Sequence, residues 1–216
     1  MRVDVWSDVV CPWCYVGKAR FEKALDAFGR QQPVEVVYRS FELDPGWPRG
    51  QTIPVREMLA TKYQLSAVDA EAAEGQLASL AEAEGLGFRP DREMGNTFDI
   101  HRVLQLGRAQ GFQHKLLDGI YRAYFAEARP VFDPGTLAEV ATAAGLDPGD
   151  VQQTLDGDDY ADEVRSDERQ ARELGISGVP FFVFEGRLGV SGAQAVSVFS
   201  EALRQASSQA GINRPG

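Results

Sequence analysis

Residues 1–18 read MRVDVWSDVVCPWCYVGK. Val3 and Val5 alternate with Arg2 and Asp4, the period of a strand, which predicts β structure over residues 2–7. After Cys11 the period changes. Phe21, Leu25 and Phe28 fall at i, i+4 and i+7 on one helical face, and Gly29 sits where a helix stops. The pair Cys11-Pro12-Trp13-Cys14 therefore occupies a strand-to-helix turn. Working outward, Pro33 opens a second strand in which Val34, Val36 and Tyr38 alternate with Glu35, Val37 and Arg39. Strand, helix, strand in this order predicts a βαβ unit with a parallel pair.

Leu43–Gln51 carries Asp44-Pro45-Gly46, Pro48 and Gly50, the signs of a linker. From there to about residue 173 the pattern is helical. Ser66 and Asp133 read as N-caps, the latter with Pro134 at the first helical position, and Asp147-Pro148 repeats the device with Asp150 in the first turn. Phe112, Leu116, Ile120 and Tyr124 form one stripe, read as core. Sheet returns with Val179-Pro-Phe-Phe-Val-Phe184, apolar on both faces as in a central strand. The turn Glu185-Gly186-Arg187, a short strand Leu188–Ser191 and a last helix with Val196, Phe199 and Leu203 on one face follow. The expected architecture is α/β, with residues 1–45 and 174–216 forming the sheet domain and 46–173 a helical insertion. The polar stretch Ser207–Gly216 is expected to fray.

The position of the cysteine pair gives it chemistry. A helix N-terminus presents unpaired N–H groups and a partial positive charge, which favour the thiolate form of a sulfur placed there. Cys11 holds that position, and Pro12, lacking an N–H, suits the first helical residue. Cys11 is then the attacking thiol and Cys14, one turn on, the resolving one. Pro12 and Trp13 tune the pair through loop geometry and the donors around the Cys11 sulfur. The competing readings are an inert buried pair or half of a metal site. Zinc wants four ligands, and His101 and His114, thirteen apart, lack zinc-finger spacing, so no metal is expected.

Composition narrows the rest. The chain has 216 residues, 44% of them hydrophobic and 25% charged, enough to bury a core without a disulfide scaffold. Its net charge of −10 repels phosphate backbones and anionic lipid, and no Lys/Arg cluster appears, so neither nucleic acid nor membrane is an expected partner. The charge is read as solubility, with a preference for basic protein substrates as the alternative. The start has no apolar run of signal-peptide length, and no window reaches the ~20 apolar residues of a membrane span. A cytoplasmic location is expected, although a mature secreted chain with an added Met would read the same.

Several motifs, in order along the chain, carry a resemblance: Asp8–Lys18, Phe41-Glu-Leu-Asp-Pro45, Gly95-Asn-Thr-Phe-Asp-Ile-His-Arg102, Gly178-Val-Pro-Phe-Phe-Val183 and Ser191-Gly-Ala-Gln194. Together they resemble the DsbA-like thioredoxin superfamily and, within it, the FrnE-like branch, some members of which accompany polyketide pathways. The resemblance implies a thioredoxin fold interrupted by an all-helical insertion domain. It also implies a cis Val179–Pro180 bond facing the cysteines, whose backbone receives an extended substrate; the plain reading of Pro180 is the start of an edge strand.

The implied activity is thiol–disulfide exchange with protein or small-molecule disulfides. No tightly bound cofactor is implied, and glutathione is a redox partner or cosubstrate. The same superfamily holds 2-hydroxychromene-2-carboxylate isomerases and kappa-type glutathione transferases, which usually have Ser where this chain has Cys11 and use the thiolate of glutathione instead. A glutathione-dependent isomerase or transferase is thus the alternative, and a non-catalytic binding module the third reading. Asn96 and His101 lie in a motif both branches share, and Thr97 with His101 lines either a cleft or only the core. Asp8 is a proton-accepting carboxylate or a plain cap, and Trp6 is packing. The direction of exchange stays open, as does monomer against homodimer.

Overall fold

The computed structural model describes residues 1–29 and 32–212. The chain divides into two compact units, Met1–Phe41 with Asp167–Gly216, and Glu42–Ser166.

In the first unit, β1 (Arg2–Ser7) runs into α1 (Pro12–Phe28) and returns as β2 (Glu35–Ser40). The later part supplies β5 (Phe181–Phe184), β6 (Leu188–Ser191) and α9 (Val196–Ile212). The sheet order is β2-β1-β5-β6. β1 pairs in parallel with β2, Val3 opposite Val36, and antiparallel with β5, Val5 opposite Phe182. β5 pairs antiparallel with β6. This is a thioredoxin fold.

Alternation along β5 sends Phe182 and Phe184 to one face and Phe181 and Val183 to the other. On the first face Phe21 of α1 lies 5.0 Å from the Phe182 ring and 5.5 Å from that of Phe199 on α9, while Phe182 and Phe199 are 4.6 Å apart. All three are fully buried. On the other face Trp6, Val183, Ala171 and Ile176 form a cluster with Phe41, Val179 and Phe181 at its margin. Trp6 is packing, as the sequence suggested, and its Nε1 donates to the Asp167 carbonyl at 2.9 Å. Asp167 also accepts from Arg39 at 2.8 Å and from the Ser40 backbone at 3.0 Å, and Arg39 donates on to Asp4 at 2.7 Å.

The second unit is helical: α2 (Val55–Tyr63), α3 (Ala67–Ala83), α4 (Phe98–Ala109), α5 (Gln113–Tyr121), α6 (Pro134–Ala144) and α7 (Pro148–Asp156). Ser66, Asp133 and Asp147 cap α3, α6 and α7, each accepting from backbone N–H groups of its first turn. Leu116, Ile120 and Tyr124 are buried. Phe112, expected with them, is 37% exposed because it precedes α5; its ring instead covers Gly145, whose positive φ and missing Cβ admit it.

The insertion differs from an all-helical one in two places. Strands β3 (Thr52–Pro54) and β4 (Glu93–Gly95) form an antiparallel ribbon, and Arg122–Ala126 continues α5 as a π-helical turn. Helix α8 (Ala161–Glu173) spans the division between the units. The sequence boundaries at 45 and 174 therefore differ from those of the compact units. A seam inside a helix leaves no Gly or Pro to mark it.

The stretch expected to fray, Ser207–Gly216, overlaps the end of α9. α9 continues to Ile212, and Ser208 donates back to the Gln205 carbonyl at 2.9 Å within it. The remainder of that stretch, 213–216, lies outside the described residues. No helix among the described residues is long and apolar enough to cross a membrane.

Candidate redox site

β1 ends at Ser7, and residues 8–10 turn the chain into α1. Asp8, 1% exposed, organises this turn: its carboxylate accepts from the Val9 N–H at 2.7 Å and its carbonyl from the Cys11 N–H at 3.2 Å. Cys11 is the N-cap, with extended backbone (φ −80°, ψ 113°), and its carbonyl accepts from the N–H groups of Cys14 and Tyr15. Its sulfur makes no capping bond, so it stands at the helix N-terminus without being used to close it. Pro12 begins the helix.

The opposing wall comes from the segment before β5. The Val179–Pro180 peptide bond is cis, and the Cys11 Sγ–H donates to the Val179 carbonyl at 3.6 Å. Both cysteines are free thiols, Cys11 4% and Cys14 2% exposed, whereas Trp13 between them is 46% exposed. Burial pushes the Cys14 thiol well above the ordinary cysteine range. The hydrogen bond with Cys11 and the charges of Cys11 and Asp8 add to the effect, against a hydrogen bond from the Asp8 backbone.

Two contacts at this site join residues far apart in the chain. Gly17, one turn beyond Cys14, lies where a Cβ would stand 3.0 Å from Pro180 Cγ and 3.3 Å from Ala193. Arg20 Nη1 donates to the Ala193 carbonyl at 2.8 Å. Gly17 and the Ser191–Gln194 motif both stand in motifs of the sequence, but spacing gives no sign that they meet. Arg20 carried no signal.

The other sequence candidates lie in the second unit. Asn96 donates to the Trp47 carbonyl at 2.9 Å and accepts from the Phe98 N–H at 3.0 Å, shaping the entry to α4. Thr97 is the N-cap of that helix without a side-chain cap bond, and His101 is buried on it. In the same motif Arg102 is fully buried and donates to the carbonyls of Asp159, Gly157 and Thr154 and to Asp99. Among the described residues no three metal-binding side chains cluster.

The fold is one that known proteins share. A family model described as the DSBA-like thioredoxin domain matches residues 2–204. The chain belongs to that family. It is similar to a crystal structure described as a probable DsbA oxidoreductase from Streptomyces coelicolor, with 52% identity and a TM-score of 0.93 over 100% of this chain and 92% of the other. At 14% identity it shares its fold with a 2-hydroxychromene-2-carboxylate isomerase (TM-score 0.68, all of both chains). At 16% identity it shares it with the cytosolic disulfide reductase DsbM of Pseudomonas aeruginosa with GSH (TM-score 0.64, 95% of this chain and 98% of that one).

Proposed function

We propose that this protein is a dithiol–disulfide oxidoreductase acting through Cys11 and Cys14. The observation that carries the reading is the position of Cys11 at the N-terminus of α1, its sulfur uncommitted to capping and facing the backbone of Val179. The Cys11 thiolate attacks one sulfur of a substrate disulfide; a Cys11–substrate disulfide forms and the other substrate sulfur leaves as a thiolate. Cys14 then loses its proton and attacks the Cys11 sulfur, closing the Cys11–Cys14 disulfide and releasing the second substrate thiolate. Two electrons pass from the protein dithiol to the substrate disulfide, and the same steps reversed oxidise a substrate dithiol.

The burial that keeps Cys14 protonated supports this division of labour, since a protonated resolving thiol does not compete as nucleophile before the mixed disulfide exists. In this reading Asp8, the buried carboxylate whose charge acts on Cys14, receives its proton. Trp13 and the backbone at Val179 and Pro180 receive the substrate chain, and Pro12 sets the loop. Glutathione is the proposed small-molecule partner, which the fold shared with DsbM in complex with GSH supports, and the proposed setting is the cytoplasm. A glutathione-dependent isomerase or transferase is the second reading, favoured by the likeness to the 2-hydroxychromene-2-carboxylate isomerase.

The test is equilibration in graded glutathione redox buffers, with thiols trapped by alkylation and the products weighed, for wild type and Cys14→Ser side by side. A reversible two-electron transition in wild type, with the variant caught as a Cys11–glutathione adduct, is expected. A pair that never closes while glutathione is held without covalent attachment moves the isomerase reading to first place.

A further inference from the structure

The Ser191–Gln194 motif has no part in the chemistry above, yet it is built into the site from two sides. Its turn is closed on itself: Gly192 takes φ +82°, Gln194 N–H donates to the Gly192 carbonyl at 2.9 Å, and Gln194 Nε2 donates to the Ser191 carbonyl at 2.8 Å. From one side the Gly192 N–H donates to the Pro180 carbonyl at 2.8 Å, one rung beyond the Phe181–Ser191 pair of the β5–β6 ladder. Any shift of the turn is therefore passed to Pro180, and through the adjoining peptide to the Val179 carbonyl that faces Cys11.

From the other side α1 holds the same turn. Arg20 reaches the Ala193 carbonyl at 2.8 Å, and Gly17 lets the helix backbone approach both the Pro180 ring and Ala193. The helix that carries the cysteines and the loop that faces them are thus joined by a polar clamp at Arg20 and an apolar contact at Gly17. A charged donor on a carbonyl is among the stronger hydrogen bonds, and a half-buried guanidinium is shielded enough from water to hold one geometry.

We propose that Arg20 is a positioning residue for extended polypeptide substrates: by fixing the Gly192–Gln194 turn on α1 it sets where the Val179–Pro180 backbone stands relative to Cys11. The inference rests on the dithiol reading and adds a positioning residue to it. An extended peptide must align its backbone with Val179 while its disulfide meets Cys11, so both distances count. A small disulfide with no peptide backbone needs the Cys11 sulfur alone. Loosening the clamp therefore discriminates between the two, which a general loss of stability does not.

The experiment compares second-order reduction rates on two probes. One is a short extended peptide whose central cysteine is in mixed disulfide with 2-mercaptoethanol; the other is 2-hydroxyethyl disulfide, which has no peptide backbone. Arg20→Met, which keeps the aliphatic stem, is expected to slow the peptide reaction about tenfold and the reaction with 2-hydroxyethyl disulfide less than about twofold, since small misplacements of a bound substrate are costly. Arg20→Lys, which retains a charged donor, recovers part of the loss. Gly17→Ala pushes on the same contact from the helix side and is expected to reproduce the selectivity. Equal slowing on both probes, or an unchanged peptide rate in Arg20→Met, overturns the inference while leaving the dithiol reading intact. If wild type reacts with neither probe, the dithiol reading itself fails and takes this one with it.

Discussion

Arg102→Met separates scaffold from chemistry within the Gly95–Arg102 motif. The Arg102 side chain is 0% exposed. Its Nε donates to the Asp159 carbonyl at 2.9 Å, its Nη2 to the carbonyls of Gly157 at 2.5 Å and of Thr154, and its Nη1 to Asp99 at 2.8 Å. Thr154 and Gly157 lie at the C-terminal end of α7, where carbonyls lack helical partners, so the guanidinium satisfies a helix end from another helix. Methionine fills much of the volume and removes every donor. Each buried carbonyl left without a partner costs about 1–3 kcal/mol. Water entering at the exposed side of Asp99 offsets part of this, and the sum falls in the ~3–5 kcal/mol range for breaking a buried charged network. With a urea m-value of about 2–3 kcal/mol per molar, the unfolding midpoint drops by roughly 1–2.5 M. The assay is urea unfolding followed by far-UV circular dichroism, paired with the disulfide-exchange rate per folded molecule in the absence of urea. A midpoint shift below about 0.3 M, or a rate that collapses while the midpoint holds, would refute the reasoning, the latter by giving Arg102 a chemical role.

Other expectations follow from the same structure. Phe199→Ala removes a fully buried ring packed against Phe21 and Phe182 and is expected to cost about 3–5 kcal/mol, read as a lowered thermal midpoint, with the full loss absent in Phe199→Leu. Because burial raises the Cys14 thiol in the folded protein, its contribution to stability is complete below the unfolded cysteine value of about 8.5 and declines as pH rises above it. Urea midpoints of the reduced protein between neutral and strongly alkaline pH should fall more steeply for wild type than for Cys14→Ser, and parallel curves would sink the claim. For Asp4, burial raises the carboxyl, but the hydrogen bonds from Arg2 and Arg39 outweigh it and leave the group below its ordinary value. Its contribution is present above about pH 4 and lost as pH falls through the depressed folded value, so Asp4→Asn should flatten the acid limb of the stability curve.

The redox turn was legible because each of its signals is local. Two cysteines, a proline at the first helical position and a change of hydrophobic period all fall within Val3–Phe28, and Ser66, Asp133 and Asp147 act on residues two or three positions away. What escaped was short or distant. The strands Thr52–Pro54 and Glu93–Gly95 are too brief to show a period of two. The π-helical turn at Arg122–Ala126 leaves Ile120 and Tyr124 buried, so the apolar stripe gives no hint of it. Arg102 reads as a surface residue of an amphipathic helix until the carbonyls 52 to 57 positions later arrive around it. Arg20 and Ala193 are separated by 173 positions, and only the completed sheet brings them together.

The pairing of β1 with β5 also fixes an order of events during synthesis. The strand leading to the cysteines is made at the beginning of the described chain, and the strand that faces it only from Phe181 onward. At about 5–20 residues per second, some 10 to 30 seconds of translation separate Cys11 from Val179. Through that interval the nascent chain carries its two thiols without the carbonyl that later receives the Cys11 Sγ–H and without the α9 side of the core. Their oxidation state in those seconds is set by whatever thiols surround the ribosome. The redox balance of the finished site begins only when β5 pairs with β1 and closes over it.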